Sequence, residues 1–154
     1  MKLLSRISVF LLAMVPVIAL ADDFIIEGEQ LSALPKPIEA AIRSAQGFEY
    51  GSCKFIGKPV DLLGQGANSG YVATTANACN WGAALGPIWV VRDGAQPVTV
   101  LEHGGYSLTL GKQRQNGLRN VAISAATAGW SSESLWKFDG MRYVKVKEKS
   151  GPNR

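Results

Sequence analysis

The sequence is poor in the residue types on which common catalytic and metal-binding motifs depend. Its 154 residues include one histidine, His103, and two cysteines. A Ser-His-Asp or Cys-His mechanism would have to use that histidine, yet no Gly-x-Ser-x-Gly motif supplies a matching serine nucleophile. One histidine and two cysteines also provide too few ligands for a closed zinc site. These absences argue against the best-known nucleophilic and zinc-dependent mechanisms.

Nucleotide-binding and calcium-binding motifs are absent as well. Residues 51–58 resemble a phosphate-binding loop, but five residues instead of four separate its glycines, and Pro59 occupies the position of the Ser or Thr that would hold magnesium. Residues 64–70 miss the dinucleotide-binding spacing by one position. The Asp-x-Asp-x-Asp-Gly calcium loop does not occur. We therefore expect no cofactor and no metal ion, and we predict a protein that is not an enzyme; a small hydrolase that uses carboxylates or His103 is the alternative.

Charged residues make up only 18% of the chain and hydrophobic residues 47%, which excludes an intrinsically disordered protein. The 17 glycines and 7 prolines favour many turns over long helices. Residues 22–91 contain four Lys or Arg and seven acidic residues, whereas residues 92–154 contain ten and five. This uneven charge can steer a charged partner, but no concentrated basic patch indicates nucleic acid.

A long apolar run occurs at the N-terminus alone. Two basic residues precede residues 7–20, and a small-x-small triplet ends at Ala21, which together predict a secretory signal peptide over residues 1–21. The run is shorter than the roughly 20 residues needed to span a membrane. We therefore expect residues 22–154 to form a single β-rich domain in the periplasm or outside the cell, with no membrane span.

The two cysteines, Cys53 and Cys79, both lie in the part predicted to be exported. An oxidising compartment lets thiols pair, so the sequence predicts a disulfide bond between them. The alternative, a reactive thiol, would need an adjacent base and a reducing environment.

One α-helix is predicted near the N-terminus. Apolar residues repeat at i, i+3, i+4 and i+7 from Ile38 to Ala45, two prolines lie at the start, and Gly47 follows the last repeat. Its opposite face is polar, so we expect the helix to lie on one side of a sheet. The preceding residues 22–30 are predicted to be a loosely held arm or a short edge strand.

Short apolar runs separated by turn residues indicate strands downstream of the helix. Six strands are predicted at residues 87–91, 98–103, 106–110, 118–125, 131–138 and 141–148. No crossover of helical length separates them, which argues against a parallel sheet. The predicted fold class is therefore α+β, mainly antiparallel β, with one N-terminal helix packed on a meander of about six or more strands.

Three two-residue turns connect these strands in the prediction. Gly104-Gly105 would place His103 opposite Tyr106. Asp139-Gly140 would place Phe138 opposite Met141 and Trp136 opposite Tyr143, with all four side chains in the core. Asn116-Gly117 marks the third turn.

Candidate binding residues lie in the Gly- and Asn-rich segment 64–87 and on the predicted Gly-Gly hairpin. A tethered Cys79 would hold Asn80 and Trp81 on an anchored surface loop, which lowers the entropic cost of a contact, and Trp is common in binding hot spots. The alternative is that Trp81 folds back on the core. His103 and Tyr106 on the hairpin complete the predicted binding residues, and no catalytic residue is assigned.

The last predicted strand carries Lys145 and Lys147, followed by Lys149. Lysines on an edge strand protect against aggregation. The alternative is that this strand contacts an acidic partner.

Three segments resemble strands of integrin-α or FG-GAP-like repeats in small secreted bacterial proteins: residues 87–92 (PIWVVR), 116–121 (NGLRNV) and 136–143 (WKFDGMRY). Fuller members of that group carry an acidic calcium loop, where this chain has residues 61–66 (DLLGQG), so the resemblance implies no metal site. The succession of strands around a Gly-rich loop is also similar to that of periplasmic lysozyme inhibitors. The resemblance implies a secreted, β-rich protein and assigns no site residue.

The leading hypothesis is a secreted or periplasmic protein that binds another protein of the cell envelope. Such a protein would act as an inhibitor or immunity protein that blocks an envelope hydrolase with rigid loops around Trp81 and His103. The alternative is an envelope structural protein that contacts cell-wall polysaccharide through the basic C-terminal strand.

Overall fold

The computed structural model describes residues 23–46, 50–83 and 85–152, so the predicted signal peptide and Gly47 lie outside the described residues. The predicted helix is confirmed as α1 (Lys36–Gln46). Its buried face carries Ile38 and Ile42, four residues apart and therefore on one side of a helix.

Ten strands are described. They are β1 (Asp23–Ile25), β2 (Ser32–Ala33), β3 (Phe55–Val60), β4 (Gly70–Thr75), β5 (Gly86–Arg92), β6 (Val98–Gly105), β7 (Ser107–Gln115), β8 (Leu118–Thr127), β9 (Trp130–Phe138) and β10 (Tyr143–Pro152). The inner sheet has the order β2-β3-β4-β5-β6, and the outer sheet has the order β1-β7-β8-β9-β10. All paired strands are antiparallel, which confirms the predicted fold class. The N-terminal segment forms an edge strand, β1.

The inner sheet lies between α1 and the outer sheet, and β5 shows why. Its side chains alternate between two cores because successive strand residues point to opposite faces. Trp89 and Val91 pack with the helix residues. Ile88 and Val90 pack against the outer sheet. This strand is therefore a continuous apolar run, buried on both faces.

The predicted Gly-Gly hairpin is wrong. His103 pairs with Ile88 in the inner sheet, whereas β7 pairs with β1 and β8 in the outer sheet, so the chain changes sheets after Gly105. Neither glycine has the positive φ that a two-residue hairpin turn requires. A Cβ on Gly105 would lie 2.6 Å from the Ile123 side chain. This glycine therefore permits the close approach of the two sheets.

The hairpin around Asp139 also differs from the prediction. Phe138 pairs with Tyr143, so the loop has four residues, and Met141 is 84% exposed instead of in the core. The Asp139 carboxylate accepts hydrogen bonds from the backbone N–H groups of Met141 and Arg142, which stabilises the longer loop. The Asn116-Gly117 turn is confirmed, with both residues at positive φ.

The Gly-rich segment 64–87 is not a surface loop throughout, because it contains β4 and the start of β5. At Gly70 a Cβ would lie 2.6 Å from the backbone carbonyl of Val91, so glycine permits close packing there. No helix among the described residues has both the length and the apolar character that crossing a membrane requires.

Candidate functional site

The loop that carries Asn80 and Trp81 is anchored at several points. Cys53 and Cys79 form a disulfide bond, as predicted. The Thr75 hydroxyl donates to the carbonyl oxygen of Cys79 at 2.7 Å, and the Trp81 indole N–H donates to the Thr75 hydroxyl at 2.7 Å. The short 3₁₀ segment (Ala76–Ala78) is therefore linked through Cys79 to the segment before β3 and held by hydrogen bonds near Thr75, at the end of β4.

Trp81 packs on the fold instead of standing in solvent. Its ring lies over Gly86, where an added Cβ would come within 2.7 Å of it, and the side chain contacts the core between the sheets. Asn80, by contrast, is exposed and adopts a positive φ of 58°. Of this predicted pair, Asn80 is the residue turned to solvent.

His103 of β6 belongs to a cluster with residues of β9 and β10, which we call the His103 cluster: His103, Ser134, Trp136, Lys145 and Glu148. The His103 ring lies 4.8 Å from the Trp136 ring. The Trp136 N–H donates to the Ser134 hydroxyl at 2.8 Å, and the Lys145 ammonium is 6.0 Å from the Trp136 ring and 2.5 Å from a Glu148 carboxylate oxygen. The cluster thus presents an aromatic pair inside a polar frame.

The pKa of His103 is lowered from its ordinary value. Burial is the larger cause, the positive charge of Lys145 adds to it, and Glu148 opposes both. The imidazole is therefore neutral at pH 7, with one nitrogen able to donate and the other to accept a hydrogen bond.

Two grooves meet at this edge of the inner sheet. A groove of about 540 Å³ is lined by Asn80 and His103 together with Tyr50, Pro87 and Glu102. The second groove, of about 490 Å³, lies on the Trp136 side of β6 and is lined by Glu102, Trp136, Arg142 and Lys145 among others. The fold therefore brings Asn80 and His103 to one groove, although they are 23 positions apart in the sequence.

Tyr106, the fourth predicted binding residue, lies elsewhere. It occupies the crossing between the sheets, is 38% exposed, and donates a hydrogen bond to Glu27 at 3.4 Å. It lines a third groove, of about 400 Å³, with residues of β8, β9 and β10. Tyr106 and His103 therefore do not act as a cross-strand pair.

Sequence reasoning missed a further exposed element, which we call the ribbon: residues 126–131 and 145–150. Every residue in both stretches is exposed. Because neighbouring strand residues point to opposite faces, both faces of the outer sheet are in solvent at residues 126–131. Beside residues 145–148, one face is covered, because Ser134 is buried and His103 packs on Trp136. Trp130, 50% exposed, lies at the β8–β9 turn, where it pairs with Thr127. A run of Ala, Ser and Thr without alternating large apolar residues is the signal that could have indicated this element.

A separate polar cluster closes the loop between β3 and β4. Asp61 is buried, and its carboxylate accepts the backbone N–H of Gly66 at 2.6 Å. Burial raises the pKa of Asp61, but hydrogen bonds from the N–H groups of residues 64–66 and the charge of Arg119 together lower it below its ordinary value. The loop thus depends on an ionised carboxylate.

The change Asp61→Asn tests that dependence through pH. A lowered folded-state pKa contributes stability that is present above the unfolded pKa of about 3.9 and is lost as pH falls through the folded value. We expect the variant to be less stable than the wild type at pH 7, and the difference to narrow below about pH 4. Urea unfolding at pH 7, 4 and 3 measures this; a constant difference would contradict it.

Among the described residues, no group of three or more His, Cys, Asp or Glu side chains is placed to hold a metal ion. In comparisons with known proteins, no family model matches the chain, and neither the curated proteins nor the solved structures contain a significant match to it.

Proposed function

We propose that this chain is an exported protein that binds another protein of the cell envelope and blocks it by occlusion, as an inhibitor or immunity protein does. The observation that carries the proposal is the ribbon, where residues 126–131 are exposed on both faces and Trp130 lies at the turn. A narrow projection with small side chains, in which β8 and β10 flank β9, has the shape needed to enter a cleft.

The ribbon combines this shape with rigidity. Its strands pair continuously, from Ser124 opposite Glu133 to Thr127 opposite Trp130, and β10 pairs with β9 as far as Pro152. A preformed element loses little conformational entropy when it binds. An exposed Trp on such an element is a favourable hot spot.

The His103 cluster lies toward the base of the same strand, since Trp136 and Trp130 both belong to β9. Trp130 and Trp136 are six positions apart on that strand, which corresponds to about 20 Å at 3.3 Å per residue. A partner held at the turn can therefore reach His103 and the groove beside Asn80. The disulfide suits an oxidising compartment outside the cytoplasm.

The change Trp130→Ala tests the proposal. We expect the wild-type protein to capture an envelope hydrolase from extract and to inhibit it on purified cell wall. Trp130→Ala should weaken binding of that partner by about 30-fold, because a hot-spot Trp contributes about 2 kcal/mol or more. Isothermal calorimetry or surface plasmon resonance with the purified partner gives the dissociation constants.

Met141→Ala is the matched control. Met141 is 84% exposed on the β9–β10 loop, at the end of β9 opposite to Trp130, so its removal deletes a large apolar side chain outside the ribbon. We expect Met141→Ala to bind like the wild type. Equal binding by Trp130→Ala and wild type, or a captured partner whose activity is unaffected, would contradict the proposal.

A further inference from the structure

Among the described strands, β10 forms the long edge of the outer sheet that carries no further strand. This strand is last in the sheet order, spans ten residues, and pairs with β9 on one side. A sheet edge presents unpaired backbone N–H and C=O groups, which can accept an added strand. Each residue from 145 to 150 is exposed, so the side chains along this edge are accessible to a partner strand.

The other sheet edges offer fewer accessible backbone groups to an added strand. The opposite edge of the outer sheet, β1, has three residues, and β2 in the inner sheet has two. The remaining edge strand, β6, is tied to α1 by a hydrogen bond from the Thr99 hydroxyl to the Ala41 carbonyl. Strand addition is therefore favoured at β10.

The charges on β10 indicate which strand would fit. Lys147 lies opposite Leu135, and Lys149 lies opposite Glu133, so these two exposed lysines share one face. Lys145 lies opposite Trp136 on the other face, where it forms an ion pair with Glu148. Lysines at alternate positions of an edge repel a basic strand and attract a strand with acidic residues at alternate positions.

We infer that the free edge of β10 binds an extended acidic segment of a partner protein by strand addition, with acidic side chains beside Lys147 and Lys149. The inference deepens the proposed function, on which it rests, by naming the chemistry of the partner. A second copy of this chain is a poorer occupant, because pairing of two β10 strands would gather the lysines of both copies along one seam.

A labelled ten-residue peptide of alternating Thr and Glu is the probe. We expect it to bind the wild-type protein at low salt, and backbone amide shifts to change along β9 and β10 in NMR spectra. A second peptide of the same sequence carries N-methyl groups at four consecutive central residues. It keeps the charges but loses backbone donors on both edges, so we expect it to bind at least about tenfold more weakly.

The double change Lys147→Glu and Lys149→Glu should weaken peptide binding at least about tenfold. A milder pair, Lys147→Gln and Lys149→Gln, should give a smaller loss in the same direction. Lys36→Glu with Lys54→Glu is the matched control, because it changes net charge by the same amount at exposed sites outside the outer sheet. Circular dichroism and thermal unfolding check that each variant folds.

Three outcomes would overturn the inference: no peptide binding, equal binding of the N-methylated peptide, or an equal loss in the control variant. Cosedimentation with purified anionic cell-wall polymer that depends on Lys147 and Lys149, without peptide binding, would assign this edge to polysaccharide and overturn it as well. If capture of the partner still depends on Trp130 while the peptide fails to bind, the inference about β10 fails and the proposed function stands.

Discussion

Replacing Trp89 by alanine is expected to lower the free energy of unfolding by about 3–5 kcal/mol, the usual range for a buried Trp or Phe. The Trp89 side chain is fully buried in the core between α1 and the inner sheet. Its ring packs edge-on against Tyr50 and Phe55, with 5.2 Å between centroids in each pair. Such a loss is a large share of the 5–15 kcal/mol that typically stabilises a domain.

Two further substitutions, one at Trp130 and one at Trp89 itself, show whether the effect comes from burial. Trp130→Ala removes a half-exposed ring and should cost less than about 1 kcal/mol. Trp89→Phe keeps an aromatic ring and removes an indole N–H that has no hydrogen-bond acceptor among the described residues, so it should cost less than about 1.5 kcal/mol. Equilibrium denaturation of all three variants measures these values. A Trp89→Ala variant no less stable than Trp130→Ala would contradict the packing described for this core.

Removal of the disulfide with the paired change Cys53→Ser and Cys79→Ser should lower stability by about 3.5 kcal/mol in the chain-entropy model. The bond closes a sequence separation of 26, and its loss releases that loop in the unfolded chain. In the folded protein, Arg43 of α1 donates to the carbonyl oxygens of Gly51 and Cys53. These hydrogen bonds do not depend on the disulfide, so the variant can still form them in its folded state.

Chemical denaturation with and without reductant measures this contribution. Reductant should destabilise the wild type to about the level of the variant and leave the variant unchanged. The groove between Asn80 and His103 should also loosen, because Cys79 adjoins Asn80; the amide signals of residues 76–81 report this in NMR spectra. Wild-type stability that does not respond to reductant would show that the two thiols do not pair in the native protein.

The α-helix and the Asn116-Gly117 turn could be predicted because short-range interactions decide them. The helix follows from apolar residues three and four positions apart. Any apolar surface can cover that face, so the prediction does not require knowing which strands do so. The turn follows from two neighbouring residues that tolerate positive φ. The disulfide could be predicted because the sequence contains two cysteines, which leaves one possible pairing.

The Gly-Gly and Asp-Gly hairpins show where such reasoning fails. A glycine pair suits a tight turn, but it suits a close approach of two sheets equally well, and the Ile123 side chain beyond Gly105 lies in a strand distant in sequence. At Asp139, a side chain that accepts two backbone N–H groups stabilises a loop two residues longer. Neither competing contact is visible in the pattern of large and small residues.

The candidate site was predictable in part for a similar reason. Asn80 and His103 were singled out by residue type, and their shared groove depends on β5 pairing with β6. Trp81 was expected on a surface loop or on the core; the choice depended on Gly86, which leaves space for its ring. The run of Ala, Ser and Thr around Trp130 could have indicated an exposed hairpin, but the point at which β8 and β9 extend beyond the other layers depends on tertiary packing.

The amino-acid sequence by itself determined the class of this protein: a helix followed by many antiparallel strands, with one pair of cysteines and a lysine-rich final strand. Tertiary structure alone decided which strands share a sheet, which face of each strand is covered, and hence which aromatic residues remain exposed. The physical reason is the range of the interactions. Helices and tight turns depend on neighbours within a few residues, whereas sheet order and burial depend on contacts between segments far apart in the chain.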